Sequence, residues 1–336
     1  MPPEGPTDAP GGSTRRRRAL QIAAAAVVSA AVLALLIGQL DWERSWRAVR
    51  AARGGWLAAA IAWSAAIVVA RGLRWRLIHP EVPLAVGTAA ISVQTFFNRI
   101  APMRLGELSL PILLRRHAGT DVSRPLVLLI LVRIVELAVA LGLIVVAAFA
   151  GGRASEGGYL AALVGLLAVI AAVLLWFRPV MQLAVRLGGA VSRWTRLDRL
   201  AAVRGGLAGL ERTVSSDARL DRARRVGLLA WTVVLQGMQI AAFDAILRAF
   251  GVALDPIPLV QGAAVALAGP ALPLPSVGSI GTLEASWAAG FLWVGVSLDD
   301  AILTGVATQL ITLVFAALVA LPSWLYLVRR SARRTR

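Results

Sequence analysis

Asn98-Arg99-Ile100-Ala101-Pro102-Met103-Arg104-Leu105-Gly106-Glu107 is the stretch on which the fold turns. It follows an apolar segment, Leu84 to Phe97, and leads into another, Leu108 to Leu114. Pro and Gly break a helix, and ionised side chains are expensive at membrane depth. Such an interruption predicts a helical hairpin lined by protein or by a wet cavity, where broken backbone is tolerated. A second interruption lies far downstream, Pro275-Ser276-Val277-Gly278-Ser279-Ile280-Gly281-Thr282-Leu283-Glu284. Paired, broken, charge-bearing segments in two halves of a chain point to a binding site near the bilayer midplane.

Composition supports a membrane setting. The 336 residues are 58% hydrophobic, with a mean hydropathy of +0.74. All 35 basic residues are Arg, against 18 acidic ones. They cluster at the ends of apolar runs, which suits topology and anionic headgroups better than nucleic acid. There is no Cys and there are only two His, His79 and His117. Thiolate chemistry is excluded, and a His-based metal site or triad has too few members. Phosphate-binding loops with Lys, nucleophile elbows and HExxH are absent, so the expectation is no enzyme, no cofactor and no metal.

Runs long enough to cross a bilayer occur at 19–40, 55–71, 125–150, 157–177, 226–250 and 300–327. The regions 84–118 and 256–297 are apolar but broken. The sequence therefore predicts an all-α polytopic membrane protein with about six full spans and two re-entrant hairpins. Residues 1–18 would be a disordered cytoplasmic N-terminus ending in Arg15-Arg16-Arg17-Arg18. A membrane domain would fill 19–328. Its first half is 84–177, its cytoplasmic connector 178–225 and its second half 226–328. A basic cytoplasmic tail would occupy 329–336. The connector carries eleven Arg, which argues that it lies inside.

Both termini and the connector are then cytoplasmic, and the hairpins must enter from opposite faces. That is the expectation for an inverted repeat. Arg44, Arg47, Arg50 and Arg53 would lie outside; with Trp42 and Trp46 they predict an amphipathic helix on the outer surface. A weak internal match supports the repeat: Gly119 to Arg133 and Gly295 to Gln309 each span fourteen positions.

The candidate substrate-binding residues are Asn98, Arg99, Arg104, Gly106, Glu107, Arg133, Glu136, Gly278, Gly281, Glu284 and Gln309. Arg104 and Glu107 would share a helical face, and an Arg fork fits phosphate bidentately. A self-neutralising pair that only holds the hairpin together is the competing reading. Arg133 and Glu136 repeat that spacing deep in a span and must face the protein interior, where a partner such as Glu107 could meet them. A lone charge there costs ~3 kcal/mol. Asn98 has the usual role of satisfying broken backbone. Glu284 suits the third position of a helix running 282–296, where a glutamate ordinarily caps its own helix. Asp244 is expected near the outer surface beside Arg248. Gln309 and Thr308 are expected to make interhelical hydrogen bonds.

At these residues the chain resembles the lysylphosphatidylglycerol synthase transmembrane region, a flippase-like membrane family. The resemblance rests on Asn98, Pro102, Arg104, Gly106 and Glu107, then Arg133 and Glu136, then Gly278, Ile280, Gly281 and Glu284. It covers most of 19–328. Leu110 stands where the family often has Arg, and Val132 where it has an acid. The resemblance implies a membrane part without the soluble aminoacyl-transfer domain of full-length synthases. It implies binding or moving an anionic phospholipid or a polyprenyl-phosphate-linked lipid in the cell membrane. The alternative is a non-transporting partner of a separate glycosyltransferase or lipid-modifying enzyme. An intramembrane enzyme using Glu107 or Glu136 ranks last, since no nucleophile accompanies them.

Overall fold

The computed structural model describes residues 42–101, 105–150, 221–269 and 282–334, with isolated positions 182, 186 and 189. The expected spans 19–40 and 157–177 lie outside these residues, as do almost all of the connector and Arg104, Gly278 and Gly281. Four described helices are long and apolar enough to cross a membrane: α2 (Gly54–Ile78), α5 (Ser123–Ala150), α6 (Arg222–Ala249) and α9 (Leu298–Arg334). Helix α1 (Trp42–Arg50) precedes them, and between them lie α3 (Leu84–Ile100), a 3₁₀ turn Leu105–Leu108, α4 (Ser109–Ala118), α7 (Pro256–Ala268) and α8 (Thr282–Trp293).

Helix ends follow local chemistry. Ala101 precedes Pro102, and its backbone is extended (φ −79, ψ 136), so α3 stops there. Gly119 closes α4 in the left-handed region at φ 74. The Asp221 side chain accepts from the Arg224 amide at 2.7 Å and caps α6. Pro256 opens α7, where its missing N–H costs nothing. The span expected at 55–71 runs on to Ile78, which carries Arg71 and Arg74 into the helix body.

Two elements are helical hairpins. Helices α3 and α4 fold back through the 3₁₀ turn, and Gly106 lies directly against Asn98. Helices α7 and α8 run antiparallel: Gly262 meets Gly290, and Gly269 meets Ser286 and the Thr282 carbonyl. A side chain at Gly262 or Gly290 would strike its neighbour, so glycine permits the close approach.

The hairpins open at opposite ends of the bundle. At one end, Arg124 pairs with Glu81 at 2.8 Å, Leu77 packs on Gly227, and Ser331 Oγ lies 2.7 Å from His117 Nδ1. At the other end, the Arg53 amide donates to the Ala249 carbonyl at 2.9 Å, and Gln261 Nε2 to the Ala147 carbonyl at 2.8 Å. The α3–α4 hairpin opens at the first end and the α7–α8 hairpin at the second. Each hairpin packs into a separate core cluster. One is built around Trp75, Val86, Leu114 and Leu128. The other centres on Phe243, Trp287 and Phe291, where Trp287 meets Phe243 edge-on at 4.7 Å. Outside these cores α9 presents Val314, Leu318 and Leu321, with Leu318 69% exposed, a face suited to lipid.

Candidate functional site

A cavity of about 260 Å³ lies between the two hairpins and the long helices. Asn98, Arg99 and Glu107 line it from the first hairpin, and Ala266, Leu267 and Leu283 from the second. Helix α5 adds Arg133 and Glu136; α2 adds Arg71 and Arg74.

The carboxylates and guanidinium groups form a chain. Arg74 Nη2 lies 2.6 Å from Glu136 Oε1, and Arg133 Nη1 lies 2.7 Å from Glu136 Oε2. Arg133 Nη2 reaches Glu107 Oε1 at 2.8 Å. The chain ties α2, α5 and the 3₁₀ turn together. Arg74 also donates to Thr232 Oγ1 at 3.3 Å, and Gln236 Nε2 donates to the Glu136 carbonyl at 3.2 Å. Such charge-assisted bonds are short and strong, and each partner offsets the other's desolvation.

The two remaining arginines rest on neutral amides. Arg99 Nη1 donates to Gln309 Oε1 at 2.6 Å, across to the middle of α9. Arg71 Nη2 donates to Gln239 Oε1 at a long 3.4 Å. Glu284 is 3% exposed and its charge acts on Arg99.

Of the sequence-derived candidates, Asn98, Arg99, Glu107, Arg133 and Glu136 come together on the cavity wall. Gly106 sits in the turn behind them, and Gln309 and Glu284 adjoin Arg99. Arg104, Gly278 and Gly281 lie outside the described residues. Asp244 pairs with Arg248 at 2.8 Å, and the Arg248 guanidinium also covers the Trp56 ring. Thr308 bonds within its own helix, to the Thr304 carbonyl, rather than across helices. The sequence reading missed Arg71, Arg74, Gln236 and Gln239. Their signal was the three-residue spacing of each pair, which places both members on one helical face.

The profile of the Lysylphosphatidylglycerol synthase TM region matches residues 22–320. The chain belongs to this family. No curated protein and no solved structure matches it. The family match takes in every cavity-lining residue, so the charged hollow is a feature of the lysylphosphatidylglycerol synthase membrane region as this chain builds it.

Proposed function

We propose that this membrane protein binds an anionic lipid in the cavity and carries it between leaflets. The substrate class is a phospholipid or a polyprenyl-phosphate-linked lipid. One observation supports this above the rest: four arginines converge on a hollow between the two hairpins, inside helices long and apolar enough to span a bilayer. Arginine inside a span is retained where an anion or ion pathway needs it.

In this reading the hairpins are re-entrant and enter from opposite faces. The end bearing Arg115, Arg116, Arg222 and Arg330 faces the cytoplasm, by the excess of positive charge. The two halves form an inverted repeat within about six spans of the cell membrane. Gly119 and Gly295, paired in the sequence match, both follow a second hairpin arm and both have left-handed backbone, φ 74 and φ 94. The movement involves no covalent step and would be downhill or ion-coupled.

The self-neutralising chain Arg74–Glu136–Arg133–Glu107 supports a second reading, since a fixed scaffold for another lipid enzyme needs such a brace equally well. Proteoliposomes carrying fluorescent phosphatidylglycerol separate the two. Dithionite access to inner-leaflet label should rise well above that of empty vesicles, and Glu107→Gln should abolish the rise. Exchange no faster than in empty vesicles leaves the scaffold reading.

A further inference from the structure

The cavity's arginines divide into two pairs with different surroundings. Arg74 and Arg133 are saturated: Glu136 binds both, and Glu107 takes the second fork of Arg133. Arg71 and Arg99 make no ion pair within bonding distance among the described residues; each leans on a glutamine amide instead. Arg71 stands in the field of Arg74, Arg99 and Arg133, with Glu136 as countercharge, and Arg99 in that of Glu284. Like charges held this close call for a further anion.

Gln309 holds Arg99 in place from α9: it is 6% exposed, and its Oε1 accepts from Arg99 Nη1 at 2.6 Å.

We propose that Arg71 and Arg99, both on the cavity wall, grip the phosphate oxygens of the bound molecule, while Arg74 and Arg133 form the fixed wall behind them. The inference rests on the lipid-binding reading above and shifts anion recognition away from Arg133. Arg71 becomes a binding residue on a helix that looks from sequence like a plain span. The ligand's shared chemistry is a phosphate oxyanion. The apolar cavity residues Ile67, Phe243 and Leu267 favour one carried on acyl chains over free phosphate.

The test is calorimetric titration of the full chain in neutral detergent with dioctanoyl phosphatidylglycerol. Arg71→Gln and Arg99→Gln should each weaken binding by about tenfold to a hundredfold. Arg71→Lys should fall between, because an ammonium keeps the charge and loses the fork. Arg248→Gln, outside the cavity lining and paired with Asp244, should bind as the parent does. Excess inorganic phosphate should fail to displace the lipid; full displacement would overturn the assignment of the anion to an acylated carrier. Thermal melting of each variant shows that the fold persists, and Arg71→Lys serves as the folded reporter if Arg71→Gln does not. If the parent chain binds no anionic lipid, the lipid-binding reading itself falls. If the parent binds and both Gln variants bind equally well, this inference alone falls.

Discussion

Arg133 and Glu107 meet at 2.8 Å, and through this contact the middle of a spanning helix holds the break in the first hairpin. The same guanidinium grips Glu136 at 2.7 Å on its other side. Replacing Glu107 by Gln keeps the shape and removes the charge that anchors the turn. Removing one partner of a part-buried ion pair leaves the other charge without that compensation. Leaflet exchange of labelled phosphatidylglycerol should therefore drop about tenfold or more in Glu107→Gln, with the protein still folded.

Glu136 stands between two arginines and is 17% exposed. Removing its charge leaves Arg74 buried with no carboxylate partner and Arg133 with Glu107 alone. Glu136→Gln should destabilise the protein by about 3–5 kcal/mol. Adding Arg74→Leu to that variant should restore part of the loss, because the two sites share one interaction. Thermal unfolding in detergent, followed by tryptophan fluorescence, measures both.

Gly106 has no room for a methyl group. A Cβ there would strike the backbone nitrogen and Oδ1 of Asn98 and the Phe97 carbonyl carbon. The turn must shift to accept it, and Glu107 shifts with the turn. Gly106→Ala should cost about 1–3 kcal/mol of stability. It should reduce transport as strongly as Glu107→Gln does in the same vesicle assay.

Two helical glycines make a matched comparison. Gly290 faces the Gly262 carbonyl, whereas Gly237 has open space around its missing Cβ. Gly290→Ala should lower the melting midpoint through steric overlap. Gly237→Ala should raise stability by about 0.5–1 kcal/mol, by restricting the unfolded chain and improving helix propensity. Equal midpoints for the two variants would contradict the close crossing of α7 and α8.

His79 sits in the turn after α2, fully buried, and neither ring nitrogen has a hydrogen-bond partner among the described residues. Burial pushes its pKa down from 6.5; nearby Arg124 adds to this and Glu81 opposes it. The folded protein thus binds this proton less readily than the unfolded chain. Its contribution to stability is present above pH 6.5 and is lost as the pH falls through the lowered folded value. Melting midpoints should fall on acidification across that window, and His79→Leu should flatten the decline.

Much of this architecture was legible in the residues. Pro102 forces Ala101 out of the helical region, and Pro256 starts a helix, so both hairpin boundaries carry their own punctuation. The first hairpin's charged turn was legible because ionised groups beside Pro and Gly have no place in a plain span. Arg71 and Arg74 were not, because an arginine at the end of an apolar run reads as the membrane boundary. The helix continues past them to Ile78, since Glu136 and Thr232 satisfy Arg74 inside the bundle. That compensation comes from residues 62 and 158 positions away, which no local pattern reveals. The glutamines of α6 were missed for the same reason: their value lies in which arginine they face.

The glycine crossing between α7 and α8 has a mechanical corollary. With backbone pressed on backbone at Gly262 and Gly290, and the small Ser286 side chain filling the space at Gly269, little side-chain cushion lets one arm slip past the other. The pair moves as a single lever or not at all. Any motion of the pair must swing it about its rooted ends, near Gln261 and Gly295, instead of unzipping it.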